Sequence, residues 1–267
     1  MNGEDFFGQS VDIYNQQIII GAYGTAYIYE NLNETWQQSI KLWPNNSNIG
    51  NFGRAVGIDG DLAVVTGARY DFNNGGHSQE EIFIYKYINN QWQELDSAIP
   101  LDKQSGEQFG VSVSIKNNKV LVGSPYNSAS QGFSGAFYVF EIVNDKLIQK
   151  HRVTNESTSY VKFGFSVELL QDRAIIAAPI VANDYNNSGE VHIFDLENGS
   201  WIKKIIIKDQ NGKEGDDFAY SISANDDFLI AGMPRADYQG TNSGAAIVID
   251  ITDIDSIFSD SFEASEK

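Results

Sequence analysis

Five short segments of this chain share one layout: an aromatic residue, a small one, a variable position, another small residue and a β-branched one. They are Phe7-Gly8-Gln9-Ser10-Val11, Phe52-Gly53-Arg54-Ala55-Val56, Phe109-Gly110-Val111-Ser112-Val113, Phe163-Gly164-Phe165-Ser166-Val167 and Phe218-Ala219-Tyr220-Ser221-Ile222. The leading Phe returns at intervals of 45, 57, 54 and 55 residues. A period of this length means that each repeat is one supersecondary unit, which buries its apolar faces against its neighbours.

Further landmarks recur in the same order. An apolar run follows each segment and closes on small residues: Ile20-Gly21-Ala22, Thr66-Gly67-Ala68, Val122-Gly123-Ser124-Pro125, Ala177-Ala178-Pro179 and Ala231-Gly232-Met233-Pro234. A third element is rich in aromatic and β-branched residues, at 26–29, 82–85, 136–140, 191–194 and 245–249, and a fourth begins at Trp36, Trp92, Leu147 and Trp201. Each repeat therefore reads as a four-stranded antiparallel meander, with strands A to D. Strand A, taken to start at the Phe, alternates large and small residues with period two. Strand B does not alternate, as expected of a strand buried on both faces. Helical periodicity is absent.

Such sheets bury both faces by stacking around an axis, so the expected fold is all-β: a five-bladed β-propeller of four-stranded antiparallel blades. One domain is expected over residues 1–263, with repeats starting near 3, 48, 105, 159 and 214 and a frayed tail at 264–267. The ring is expected to close, with Asp255-Ser256-Ile257-Phe258 as the fourth strand of blade five. The alternative, that one or two blades are lacking, would leave sheet edges bare.

Composition supports this reading. Hydrophobic residues make up 42% of the chain, with 16 Phe, 13 Tyr and 4 Trp, enough for a large core. The net charge of −18 repels nucleic acid and anionic lipid, so neither is an expected partner. It favours solubility and cations. There is no cysteine, so the core must hold without disulfides. No segment approaches the ~20 apolar residues that span a bilayer, and membrane insertion is not expected. Met1-Asn2-Gly3-Glu4 lacks the basic start and apolar run of a signal peptide, which fits a cytosolic protein or a mature form with its signal removed.

The five Phe-Gly-type starts and the five Gly-Ala-Pro-type ends resemble the FG-GAP repeat, the unit of the integrin α-subunit propeller, also widespread in bacterial surface and secreted proteins. Ser105–Val113 with Gly135–Phe140 downstream looks particularly like the bacterial variety. The resemblance runs from about residue 3 to 250 and implies the propeller fold, but says little about activity. Two departures stand out. Integrin propellers have seven repeats, against five here. Their calcium loops, of the Asp-x-Asp-x-Asp-Gly type between strands A and B, are replaced at 14–17, 59–61, 116–119, 171–173 and 225–227 by short turns without alternating oxygen ligands. The segment 257–263 resembles a short tail of some secreted proteobacterial proteins. With the repeat type, it points to a secreted or cell-surface, bacterial protein.

Loop lengths suggest where function sits. The A–B connections are tight, whereas the B–C loops at 69–80, 126–134, 180–188 and 235–243 and the D–A loops at 44–51, 100–108, 154–162 and 208–217 are long. In a meander these long loops project from one face, where binding residues usually lie. Tyr23, Tyr70, Tyr126, Tyr185 and Tyr238 are the candidate contacts there, since tyrosine pairs an apolar body with a polar tip. The same rings could instead pack their own loops. Asp71, Asp184, Asp216, Asp217 and Asp237 are candidate cation ligands, with calcium the ion that fits carboxylates best. Asp5 and Glu107 precede strand A like Asp216. No cofactor is firmly implied. Loop carboxylates also serve as turn formers.

The catalytic inventory is thin. His77, His151 and His192 fall at non-equivalent positions, and no nucleophile elbow or phosphate loop is present. The expected function is a non-enzymatic recognition module for protein or glycan. The alternatives are a propeller hydrolase using two loop carboxylates on polysaccharide, and a structural or assembly domain.

Overall fold

The computed structural model describes residues 6–45, 49–71, 77–102, 106–127, 134–155, 161–180, 189–237, 240–252 and 254, with backbone alone at 69–71 and 77–78. Among these residues every regular element is a strand, and no helix is long and apolar enough to cross a membrane.

Blade one comprises β1 (Ser10–Tyr14), β2 (Gln17–Ala22), β3 (Thr25–Leu32) and β4 (Thr35–Leu42). Blade two comprises β5 (Ile49–Gly50), β6 (Val56–Asp59), β7 (Leu62–Asp71), β8 (His77–Ile88) and β9 (Gln91–Ala98). Blade three holds β10 (Val113–Lys116), β11 (Lys119–Ser124), β12 (Ala136–Val143) and β13 (Lys146–Thr154). Blade four holds β14 (Val167–Leu169), β15 (Arg173–Ala178), β16 (Glu190–Glu197) and β17 (Ser200–Ile207), and blade five β18 (Ser221–Ala224), β19 (Phe228–Met233) and β20 (Ala245–Asp250). Strands pair antiparallel in chain order within each blade, save that the short β5 pairs with β7 beside β6, and this is the β-propeller arrangement expected from the repeats. The fourth strand expected at 255–258 lies outside the described residues.

Local chemistry sets the hairpins. The C–D turns carry Asn33-Glu34, Asn89-Asn90 and Asn144-Asp145, all with φ between 50° and 64°. Two successive positive φ values match the right-handed twist of the flanking strands, and Asn tolerates them. Just inside each turn, strand C slips register at one equivalent place in four blades: Ile28/Tyr29, Ile84/Tyr85, Val139/Phe140 and Ile193/Phe194. This bulge adds twist where the outer strands splay.

Two expectations need correction. The Phe-Gly pair does not begin strand A. It forms a turn ahead of the strand, and β1, β6, β10, β14 and β18 start three or four residues later. The reason is steric. Gly53 and Gly164 have φ of +87° and +91°, and a Cβ on either would lie 2.1 Å and 2.3 Å from backbone oxygens of the preceding blade. Only glycine lets the backbones approach so closely. The loop expected at 69–80 is also shorter, because β7 and β8 extend their ladder through Arg69↔Gln79, Tyr70↔Ser78 and Asp71↔His77. His77 is thus a strand residue.

Four hydrophobic clusters hold the blades together, one between each successive pair. Ile19 and Ile28 of blade one meet Phe52, Val56 and Ile58 of blade two, and the pattern repeats onward to blades four and five, where Ile175 and Ile193 meet Phe218. The inner strands lie side by side around the axis in the series β1, β6, β10, β14, β18.

Candidate functional site

The site follows from which residues of strand A face inward. The Phe of the second to fifth motifs packs back onto the preceding blade. Buried edge-to-face rings such as Phe52 against Phe83, 5.3 Å apart, and Phe109 against Tyr138, also 5.3 Å, fix the turn within its own blade. The variable third position then points toward the axis. Gln9, Arg54, Val111, Phe165 and Tyr220, one from each blade, line a single axial cavity of about 320 Å³. The varying positions are gathered at this cavity, beside the recurring small and β-branched residues that follow them.

The mouth has a definite chemistry. Phe165 and Tyr220 lie 4.9 Å apart as a tilted pair, and Lys162 Nζ stands 5.5 Å from the Phe165 ring centre and 5.7 Å from that of Tyr126. Arg54 donates to Gln108 Oε1 at 3.3 Å, and Gln9 donates to the Gly53 carbonyl at 2.8 Å. Burial pushes the Arg54 pKa down, against the opposing influence of Glu80 and Tyr126. Two cations and three aromatic rings thus converge at one end of a strongly acidic molecule. They suit a ligand that offers a flat apolar face together with acidic or polar groups.

This mouth opens on the side of the long loops. Strand A begins there, and B–C and D–A loops interlock around it. Ser124 Oγ donates to the Glu107 carbonyl at 3.0 Å, Tyr126 N–H donates to it at 3.1 Å, and Phe163 N–H donates to the Ser134 carbonyl at 3.2 Å. Behind them, buried Glu107 accepts from Tyr138 Oη at 2.9 Å and from Asn127, whose Oδ1 in turn accepts from Arg152 at 2.8 Å. This network locks one D–A loop to one B–C loop, so the rim is a built surface.

A second cavity of about 390 Å³ lies at the short-turn end. Asp12 and Glu168 border both cavities. Asp12 Oδ2 accepts from Ile58 N–H at 2.8 Å, and burial raises the pKa of this group despite that bond. Glu168 Oε1 accepts from Ser114 Oγ at 3.0 Å, and burial, with some repulsion from Asp12, pushes its pKa up to about 7. At the short-turn end Lys116 pairs with Asp59 at 3.0 Å, and the hydrogen bond to Asp59 raises the lysine pKa.

The residues singled out from the sequence lie around this geometry rather than at its centre. Tyr126 is half-buried beneath Lys162 at the rim. Tyr23 is exposed in the β2–β3 turn. Tyr70 and Asp71 lie in β7, their side chains outside the described set, and Tyr185, Tyr238 and Asp184 fall outside the described residues altogether. Asp216 and Asp217 are buried just before Phe218. Asp216 Oδ2 accepts from Lys213 N–H at 2.8 Å, and Asp217 pairs with Arg235 at 3.1 Å. Exposed Asp237 accepts from Asn242 N–H at 2.7 Å. Among the described residues, no three His, Asp or Glu side chains gather as a metal site would require. His192 is buried against Phe163 and bonded to Glu190 at 2.9 Å.

The FG-GAP repeat model matches this chain at residues 92–140 and 201–249. Each match runs from strand D of one blade through strand C of the next, so it includes the turn at Phe109-Gly110 or at Phe218-Ala219. Two segments of this five-bladed β-propeller thus match the FG-GAP repeat. Among solved structures, this chain is similar to a chain of the "Crystal Structure of Mitotic Checkpoint Complex", with 13% identity and a TM-score of 0.49. The likeness covers 83% of this chain and 57% of that one, so this chain corresponds to little more than half the length of the chain it matches. No curated protein sequence matches it.

The axial mouth was missed from sequence although its signal was present. The motif's third position is the one that changes chemical class from repeat to repeat, as Gln9, Arg54, Val111, Phe165 and Tyr220. That it faces the axis depends on the Phe-Gly turn, which the sequence reading took for strand.

Proposed function

We propose that this FG-GAP propeller is a non-enzymatic recognition module, secreted or displayed on a bacterial cell surface, which grips a protein or glycan segment at the mouth of its long-loop face. One observation carries the reading: the five positions that vary between repeats line one cavity, alongside the small and β-branched residues that recur after them. A scaffold that keeps its structural residues and varies those at a shared opening is built for selective binding. Wild-type protein and a Phe165→Ala/Tyr220→Ser variant, screened in parallel on a glycan array and a displayed peptide library, test it. Ligands selected by the wild type should lose about tenfold or more in affinity for the variant. Ligands that bind both equally would remove the mouth from consideration.

The acidic loop residues Asp71, Asp184, Asp216, Asp217 and Asp237 remain the proposal for calcium. Such an ion would have to compete with Lys213 N–H and Arg235 for Asp216 and Asp217. A calorimetric titration with calcium chloride that shows no binding heat would withdraw it.

A second reading, a hydrolase, draws on Glu168, whose pKa near 7 and place beside Asp12 in the channel provide the unequal carboxylates such chemistry uses. Both carboxylates lie on strands rather than loops, and both accept bonds that join neighbouring blades. Turnover of any polysaccharide or ester that Glu168→Gln abolishes would favour this reading over the first.

A further inference from the structure

Resting on the mouth as the binding site, we propose that its ligand is an acidic sugar. It is a uronic acid residue of a glycan, with its carboxylate on Arg54, its ring face on Phe165 and Tyr220, and its hydroxyl groups turned down toward Asp12 and Glu168.

The first observation is a cation without an anion. Arg54 is half-buried in the wall of the axial cavity. Its side chain makes one long hydrogen bond, to Gln108 Oε1 at 3.3 Å, and among the described residues no carboxylate forms an ion pair with it. Glu80 acts on it only through longer-range attraction. Arg152 and Arg173, by contrast, are paired with Asp102 and Asp195. A guanidinium taken out of water is costly unless acceptors replace the water, and its planar fork matches a carboxylate. A ligand carboxylate supplies that partner.

The second observation is a layering of donors and acceptors along the axis. Just below Arg54 stand Ser10 and Ser166. They accept from Val56 N–H at 3.1 Å and from Ile222 N–H at 3.3 Å, and among the described residues neither hydroxyl proton has an acceptor of its own. Two residues further along the same strands, about 7 Å at ~3.3 Å per residue, come Asp12 and Glu168. Asp12 accepts from the Ile13 and Ile58 N–H groups and Glu168 from Ser114 Oγ. A carboxylate offers about four acceptor positions, so both retain room for hydroxyl donors. The cavity thus presents donors at its upper level and acceptors at its lower one.

The third observation is the tilted pair of Phe165 and Tyr220, 4.9 Å apart, in the wall of the same cavity. Tyr220 is exposed, so its ring is not taken up by the core. Such a pair suits the C–H face of a sugar ring.

Size and polarity together select the ligand. A cavity of about 320 Å³ is at the small end for ligand pockets, with room for one substituted ring rather than a stretch of peptide. An acidic peptide side chain would reach Arg54, but its methylene groups bring no donors to Asp12 and Glu168. A neutral sugar would leave Arg54 without a counter-charge. A ring that carries both a carboxylate and hydroxyl groups satisfies all three layers. The net charge of −18 opposes such a ligand only at long range, and in about 150 mM salt the screening length falls to ~8 Å.

Calorimetric titration in that salt tests the proposal, with oligosaccharides of galacturonate, of mannuronate, and of glucuronate alternating with N-acetylglucosamine as probes. At least one should bind the wild type, and its carboxyl methyl ester should bind about tenfold or more weakly. Arg54→Gln should lose a similar factor for the free acid and nothing for the ester, while Arg54→Lys, which keeps the charge without the fork, should recover part of the loss. No binding by any of the three acids, or an ester that binds as well as its acid, overturns the proposal. The ester comparison changes only the ligand, so it decides even if Arg54→Gln does not fold. Failure here is separable from failure of the mouth. Ligands lost by Phe165→Ala/Tyr220→Ser but indifferent to Arg54→Gln would keep the mouth and overturn the acidic sugar. An acidic peptide that needs Arg54, with no uronate bound, would do the same. Uronate binding unchanged in both variants would remove the mouth as well.

Discussion

Single residues of this propeller are set by what faces them across a blade interface. Gly164 and Gly8 hold equivalent places with nearly equal φ, +91° and +90°. Gly164→Ala forces a Cβ against the Ala136 carbonyl and should cost about 2–4 kcal/mol in urea denaturation. Gly8→Ala meets open space and should cost only about 1 kcal/mol, the intrinsic penalty of a left-handed alanine. Two acids make an opposed pair. Glu168 has a folded pKa near 7, above its ordinary 4.5, so the folded state holds the extra proton. Its contribution to stability is full below pH ~4.5 and lost as pH rises toward 7, by roughly 3 kcal/mol at the upper bound. For Glu190, burial would raise the pKa, but hydrogen bonds from His192 and Lys208 outweigh it and hold the group at about 2. That stability is present above pH ~4.5 and is lost as pH falls toward 2. Chemical denaturation across pH should show Glu168→Gln abolishing the loss on the neutral side and Glu190→Gln abolishing the loss on the acid side.

At the scale of the element, the inner strands are short and lie at sheet edges, and several of their N–H groups bond to side chains of the preceding blade. Ser114 illustrates the device: its hydroxyl accepts from Leu169 N–H of the next blade at 3.1 Å and donates to Glu168 at 3.0 Å. Ser114→Ala should therefore cost about 1–3 kcal/mol, because it orphans a buried donor. The equivalent Ser223, exposed on blade five, should tolerate the same change within about 0.5 kcal/mol. Thermal unfolding of the two variants side by side checks both figures. The elements themselves were largely legible in the sequence. Strand C and strand D were placed to within a few residues, because aromatic and β-branched runs separated by Asn-rich turns leave little freedom. Strand A was misplaced at its start, since a Phe-Gly turn and a period-two strand look alike until a neighbouring backbone forbids the Cβ.

The whole molecule carries −18 charges on a ring held by four apolar interfaces. Self-repulsion at that charge is long-ranged, so raising salt from about 10 to 150 mM, which shortens the screening length from ~30 Å to ~8 Å, should raise the melting temperature. A melting temperature that is flat or falls over that range would show that local ion pairs such as Arg173–Asp195, at 2.7 Å, outweigh the net charge. The sequence by itself determined the all-β class, the five blades, their four-strand grammar and the side from which the long loops project, because these follow from a repeated local pattern. The tertiary structure alone decided that Gln9, Arg54, Val111, Phe165 and Tyr220 share one mouth, that Glu168 and Asp12 border the same two cavities, and that apolar residues of blades one and five are left exposed. Those facts depend on which residues of different repeats meet around a common axis, and a spacing along the chain does not encode an angle about that axis.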